Sequence, residues 1–413
     1  MTQWAPVWRV KINGIEYTDV VLSTLSISSG RTNIYTQAQA GYCTLNLINL
    51  NLDPILVTIN DSVTIEVQDT SAAFVPIFGG SVVDVSVIVS QVGSVSITQE
   101  ITITALGALA RLQKALTPGV LTQDFDGNQI LSILTDLLVN NWGEVPAALT
   151  WGTYLPATQT WADAQNTGLG EIDTPGNYEL AARASSTSVT WDLVAALATS
   201  GLGYIFENSV GQISYADSTH RSTYLAANGY TDLSANQALG QGIRIQTRAG
   251  DVRNDINLAY SAGSVNDSNP TSISIFGDLA QQISTTLKHS ADAHDQAAFY
   301  LTLRSYPQAF LESITFALTN PELDGGDRDS LINVFMGQPI SLADLPPNMA
   351  GGNFLGFVEG WRFAASYNQL SITLIMSPLA FSLQAMAWQD VSVAETWSSI
   401  VATLDWEHAL VVA

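Results

Sequence analysis

Residues able to do chemistry are few in this chain, and their spacing serves it poorly. There are four histidines, His220, His289, His294 and His408, and a single cysteine, Cys43. The stretch HSADAH gathers His289, Asp292 and His294. A metal ion needs its ligands on one face, yet helical positions five apart point about 140° from each other. Only His289 and Asp292 share a side, so these are expected to be surface helix residues. A lone cysteine supports neither a disulfide framework nor a Cys-based metal site. Alternating with Leu45 and Leu47, Cys43 reads as a small core residue. Glycoside hydrolysis needs two carboxyl groups about 5 to 9.5 Å apart across a cleft. Among 37 acidic residues no motif singles out such a pair. Glu207 and Asp217, on neighbouring strand ends, read as solvated hairpin charges. DGGDRD at 324–329 has the composition of a calcium loop without its ligand spacing. The fingerprints Gly-x-Ser-x-Gly, His-Glu-x-x-His, the P-loop and the dinucleotide turn do not occur. The expectation is a protein without catalytic residues, cofactor or metal.

Composition narrows the class further. At 413 residues the chain is long enough for roughly two to three domains. Hydrophobic residues make up 46% and charged residues 12%, about half the usual charged share. The surface must then be covered by Ser, Thr, Asn, Gln and Gly, which suits packing against other chains or an extracellular particle. The net charge is −23, with 14 Lys plus Arg. Tight nucleic-acid binding needs clustered cations to displace phosphate counterions, and this chain has too few. Acidity serves solubility; a sharper use is a wall that repels a nucleic acid passing nearby. The N-terminus lacks the basic and apolar segments of a secretory signal. No apolar run approaches the ~20 residues of a membrane span. Folding or assembly in a reducing cytoplasm is expected.

The elements follow from hydrophobic period. Residues 1–110 read as nearly pure strand, with alternation in WRVKI, VTIEVQD, IFGGSVVDVSVIV and SVSITQEITITALG. Asn13-Gly14 is a strong hairpin signal. Residues 111–240 turn mixed: an amphipathic helix at 127–142, a Gly/Pro/Thr-rich loop at 143–180, a helix from Ser188, then a hairpin through Asn208 to Gly211. Strands resume over 241–382 with IRIQT, DINLAYSAG, SISIFGDL, SITFALT, PISLAD, FLGFVEGWRFA and QLSITLIMS, interrupted by a helix at 290–305. Residues 383–413 form an arm carrying Trp388, Trp397 and Trp406, suited either to contacts with a neighbouring chain or to packing on its own domain. One triplet occurs twice: Phe78, Gly80, Val82 and Phe354, Gly356, Val358. In a strand each copy sets a ring, a bare backbone position and a branched residue on one face. It marks one structural unit used twice, or the bulge-prone glycine of any β protein.

The order of these segments resembles the minor tail proteins of long-tailed phages of actinobacteria, the tail-tip or baseplate hub family. The resemblance rests on WRVKINGIEYTDVVLSTLSISSGR, IFGGSVVDV with ITITALGALARL, TWDLVAALATSGLGYIFENSVGQISYAD, VRNDINLAYSAG, FLGFVEGWRF and LSITLIMSPLAF, and spans most of 1–382. It implies a mainly β fold with α+β insertions: two tail-tube-like β-barrels, at 1–110 and 241–382, flanking the mixed region 111–240. It also implies a homotrimer whose six barrels join a sixfold tube to a threefold tip, with DNA leaving through the lumen. The implied partners are the distal tail ring protein, the tape-measure protein and other tail-tip proteins, with the host cell wall reached indirectly. The implied location is the tail tip of the virion. The 143–180 loop departs from the compact hub pattern. Its aromatics Trp151, Tyr154 and Trp161 suggest the other reading, a cell-wall or carbohydrate-binding tail protein with hydrolase activity.

Overall fold

The computed structural model describes residues 4–17, 20–34, 36–49, 55–89, 99–139, 168–239, 243–366 and 368–379. The first seven strands are β1 (Trp8–Ile12), β2 (Ile15–Glu16), β3 (Val20–Gly30), β4 (Gln39–Asn49), β5 (Ser62–Gln68), β6 (Phe74–Val89) and β7 (Gln99–Leu106). Asn13 and Gly14 turn β1 into β2 with φ of 50° and 74°, the left-handed pair that a two-residue hairpin requires. Short strands β8 (Leu116–Thr117), β9 (Asp124–Phe125), β10 (Gly168–Ile172), β11 (Glu179–Leu180) and β12 (Ser188–Val189) follow, then the hairpin β13 (Tyr204–Glu207) and β14 (Gln212–Ala216). The remainder is β15 (Thr231–Ser234), β16 (Arg244–Thr247), β17 (Asp255–Tyr260), β18 (Gly263–Ser268), β19 (Ala280–Ser284), β20 (Ala309–Ala317), β21 (Pro339–Ala343), β22 (Phe354–Ser366) and β23 (Gln369–Pro378).

The chain is mainly β, as expected, and its ladders are mostly antiparallel. Thirteen strands join in one sheet, ordered β16-β20-β23-β22-β3-β4-β7-β6-β5-β1-β2, with β21 on β22 and β15 on β21. Two halves of this sheet repeat one arrangement. The order β5-β6-β7-β4-β3 is matched by β21-β22-β23-β20-β16, strand for strand in the same chain order. Phe78 pairs with Ile65 and Gly80 with Val63, while Phe354 pairs with Leu342 and Gly356 with Ile340. A bulge follows each valine: between Val82 and Asp84 against β7, and between Val358 and Gly360 against β23. Each glycine lies under its own phenylalanine. A methyl group on Gly80 would sit 2.5 Å from the Leu106 carbonyl oxygen and 2.8 Å from the Phe78 ring. On Gly356 it would sit 2.3 Å from the Ser377 oxygen and 2.6 Å from Phe354. Both rings are buried in one core that runs through both halves.

The halves were expected as separate barrels on either side of the mixed region. Among the described residues their ladders instead run on as one open sheet, because β22 pairs with β3 from Gly360↔Gly30 to Ser366↔Thr24. A second core lies beside it. It gathers the helices Asp126–Val139 and Thr190–Ser200, the sheet β10-β14-β13, and also β17–β19 with the helix Ser290–Arg304. That last block, read from sequence as part of the second strand-rich region, lies between β16 and β20 and packs with the middle region. SISIFGDL, expected as strand, is the helix Pro270–Phe276. Asn269 caps it through Ser272 N–H, Pro270 opens it and Gly277 ends it at φ 81°. Those signals outweighed the alternation of Ile273 and Ile275. The helix expected at 127–142 is described as Asp126–Val139.

Gly80→Ala and Gly356→Ala should each lower unfolding free energy by about 1–3 kcal/mol in urea titrations. Gly250→Ala, with open space around the position, should change it by under ~0.5 kcal/mol.

Candidate functional site

Alternation across the sheet separates two faces. One row reads Phe316, Ile372, Phe363, Ile27, Cys43, Ala105, Val82, each paired with the next across seven strands. All seven are buried. The neighbouring row, on the opposite face, reads Ala317, Ser371, Ala364, Ser26, Thr44, Thr104, Asp84. The next is Gln369, Ser366, Thr24, Asn46, Thr102, Ser86. This second face carries mostly small hydroxyl and amide side chains, with Ala317, Ala364 and Asp84 among them, and crosses from one half to the other. Thr315 and Thr373 hydrogen-bond across it at 2.8 Å. Its charges include Asp84, Glu100, Glu312 and Arg362. A cavity of about 600 Å³ opens on it where β3, β20, β22 and β23 meet, lined by Ser28, Glu312, Thr373 and the arginines Arg31, Arg248 and Arg362.

A buried ion cluster holds the seam together. Glu359, wholly buried, occupies the β22 bulge. Its Oε2 accepts from Arg31 Nε at 2.6 Å and Arg221 Nη2 at 3.0 Å. Its Oε1 accepts from Arg221 Nη1 at 2.8 Å and Ser377 Oγ at 2.5 Å. Arg31 N–H also donates to the Glu359 carbonyl at 2.8 Å. That approach requires Gly30 (φ 85°), where a Cβ would lie 2.3 Å from the same oxygen. Arg221 comes from the helix His220–Asn228 and lies over the rings of Tyr204 and Phe357 at 4.7 and 4.9 Å. Burial alone would push the Glu359 carboxyl up, but the two guanidinium charges and the Ser377 hydrogen bond hold it at about 2. Burial opposes the charge on Arg221 too, yet Glu359 and Tyr204 keep it above its ordinary value. Arg31 falls below its own, through burial and the second guanidinium sharing its carboxylate.

Four further carboxylates fasten the middle region. Glu207, read from sequence as a solvated hairpin charge, is instead buried: it accepts from Gly41 N–H at 2.7 Å and from Leu109 N–H. The cause is close packing at glycines, since a Cβ on Gly107 would lie 2.1 Å from the carboxylate. Burial pushes Glu207 up to about 7. Asp126, also buried, accepts from Asn177 N–H and Tyr178 N–H at 2.8 Å each and from the Tyr215 hydroxyl. Asp173 meets His220 Nδ1 at 2.8 Å. That hydrogen bond raises His220 against its partial burial. Asp217, just ahead of the Arg221 helix, accepts from Thr219 N–H at 2.8 Å and His220 N–H at 3.1 Å.

His289 meets Glu179 at 2.6 Å and His294 lies 3.6 Å from Asp267, so the two rings diverge. Among the described residues no group of three His, Cys, Asp or Glu could hold a metal. Asp324 of DGGDRD caps the helix Gly325–Ile332. Phe78, Val82, Phe354 and Val358 lie in the core, not on the polar face. Trp388, Trp397 and Trp406 fall outside the described residues, as do Trp151, Tyr154, Trp161 and most of the 143–180 loop. Sequence reasoning missed Arg31, Arg221 and Glu359. Their one signal is the scarcity of arginine in so acidic a chain.

No family model matches the chain, and no curated protein matches it. Solved structures do. A tail protein from Neisseria meningitidis aligns with TM-score 0.58 and 11% identity over 92% of this chain and 98% of its own. The 43 kDa tail protein of prophage MuSo2 from Shewanella oneidensis aligns with TM-score 0.52 and 11% identity, over 91% and 99%. At such identity the likeness establishes a shared fold: this chain folds as those tail proteins do.

Glu359→Gln should cost about 3–5 kcal/mol in urea unfolding, because two buried guanidinium groups lose their counter-charge. Glu207 gives a pH signature. Its folded pKa near 7 lies above its unfolded value, 4.5. Its contribution is therefore fully present below pH 4.5 and is lost as pH rises through 7, on the order of 3 kcal/mol in all. Unfolding titrations of wild type and Glu207→Gln should show that difference shrinking across this window; a flat difference would count against the buried carboxyl.

Proposed function

We propose that this protein is a structural component of a phage tail tip, a trimeric hub that joins a sixfold tail tube to a threefold tip. One observation carries the reading: each chain holds two copies of one strand arrangement, fused at β22·β3 into a continuous hydroxyl-rich face. Three chains would then offer six equivalent units, the number a sixfold ring must meet. The fold shared with phage tail proteins supports the setting.

The polar face suits the lumen of such a ring. Serine and threonine hydroxyls hydrogen-bond water and present no cation array, so DNA can slide past without release of its counterions. A net charge of −23 adds long-range repulsion. In this reading each half supplies one tube-like barrel, closed against its neighbours in the ring. The distal tail ring lies on one side, the tape-measure end within, other tip proteins beyond, and the host wall is reached through them. The role is scaffolding and gating, without catalysis.

Electron cryomicroscopy of intact particles tests this. The expected image is a ring of six barrel-like units at the tail tip built from three copies of this chain. Two, four or six copies in that ring, or none, would overturn the reading.

A further inference from the structure

Three arginines face one cavity where the main sheet, the middle region and the β17–β19 block meet. The cavity measures about 140 Å³. Its wall includes Arg31 at the end of β3, Arg221 of the helix His220–Asn228, and Arg304, the last residue of the helix Ser290–Arg304. Each is buried, at 7%, 5% and 5% exposure, so bulk water screens none of them. Glu359 answers two of these guanidinium groups without lining the cavity itself. The carboxylate that does line it, Asp217, is engaged at the helix start, where its Oδ1 accepts from Thr219 N–H, Thr219 Oγ1 and His220 N–H. With Glu359 counted, three positive charges meet two negative ones among the described residues.

Buried charge in excess is costly unless a counter-charge joins it. Arg31 registers the cost: burial lowers its pKa more than Glu359 restores it, and Arg221 opposes its charge as well. Hydrogen-bonding capacity points the same way. Arg31 donates through Nε to Glu359 and through Nη1 to the Thr36 carbonyl, which leaves Nη2 without an acceptor among the described residues. Gln281, half-buried on β19, lines the cavity with an amide whose Oε1 is buried and has no hydrogen-bond partner. A half-turn of that amide presents its NH₂ in place of the oxygen. Ser218 Oγ, also in the wall, accepts from Asn177 at 2.9 Å and keeps its own proton to donate.

We infer that this cavity binds a free tetrahedral oxyanion, phosphate or sulfate, held by Arg31, Arg221 and Arg304 with Gln281 and Ser218 as neutral donors. Guanidinium groups suit the ligand, because their planar forks match pairs of its oxygens. Size suits it too. At ~30 Å³ per water the space holds roughly four or five waters, enough for one such ion and too little for a nucleoside beside it. The three arginines come from three parts of the fold, so the ion ties the main sheet, the middle region and the β17–β19 block together. The site stands independently of the tail-tip reading.

Equilibrium dialysis of the full chain against radiolabelled phosphate tests this. The expected result is one ion per chain, displaced by sulfate and not by acetate or chloride at equal ionic strength. A ligand that binds only the folded chain should raise the thermal midpoint by roughly 2 °C for each tenfold rise in phosphate beyond its Kd. Gln281→Glu, on an edge strand, sets a carboxylate in the wall. It should leave the circular dichroism spectrum unchanged, weaken phosphate binding by about tenfold or more, and remove the phosphate-dependent shift. Arg248→Gln, in the larger cavity at the seam, should change neither binding nor shift. A short single-stranded oligonucleotide at equal phosphate concentration should displace no label, since a diester cannot enter with its sugars. Four results would overturn the inference: no bound phosphate, binding that survives Gln281→Glu but is lost with Arg248→Gln, acetate competing as well as sulfate, or displacement by the oligonucleotide.

Discussion

Everything distinctive about this molecule depends on a single buried carboxylate. Glu359 receives Arg31 from the end of β3, Arg221 from the middle region and Ser377 from β23. Three segments far apart in the chain thus converge on two oxygen atoms. Ionising such a group away from water is costly, and here the cost is offset only because both guanidinium groups and a hydroxyl satisfy it together. The partners are directional, so the cluster specifies geometry as well as supplying attraction. It sits at the bulge where β22 leaves β21 and takes up β3, the point at which two halves become one sheet. Val83 holds the corresponding bulge position in β6, where, among the described residues, no strand continues.

From that junction the two faces follow. Seven paired strands keep one face dry and one wet only where the register is held from one bulge to the next, since an uncompensated one-residue shift exchanges the faces. Phe-x-Gly-x-Val contributes to this in both halves: the ring folded over the glycine leaves room for one strand to pass close to the next and pins the bulge that follows. The wet face is then uniform across the junction, which gives a tail-tip reading its physical content. A passing polyanion meets hydroxyls and scattered carboxylates, with Arg248 and Arg362 at the cavity beside the seam.

Much of this was legible beforehand. Strand alternation, the Asn13-Gly14 turn and the helix near residue 130 all follow from local period and turn chemistry. Local signals also misled. Ile273 and Ile275 alternate like a strand, yet Asn269, Pro270 and Gly277 punctuate a helix, and the helix formed. Glu207 looked like a hairpin charge because sequence does not reveal that Gly41 and Gly107 bring backbone N–H groups within its reach.

By itself, the sequence determined the inventory: two strand-rich stretches, a mixed middle, a repeated triplet and a surface poor in charge. These are properties of neighbours along the chain, where side-chain period and turn propensity act over a few residues. Only the tertiary structure decided that the two stretches share one sheet, that β17–β19 join the middle core, and that Arg31, Arg221 and Glu359 meet. Those outcomes come from pairings between residues more than a hundred positions apart. Such pairings turn on shape and buried charge, and neither has a period to be read along the chain.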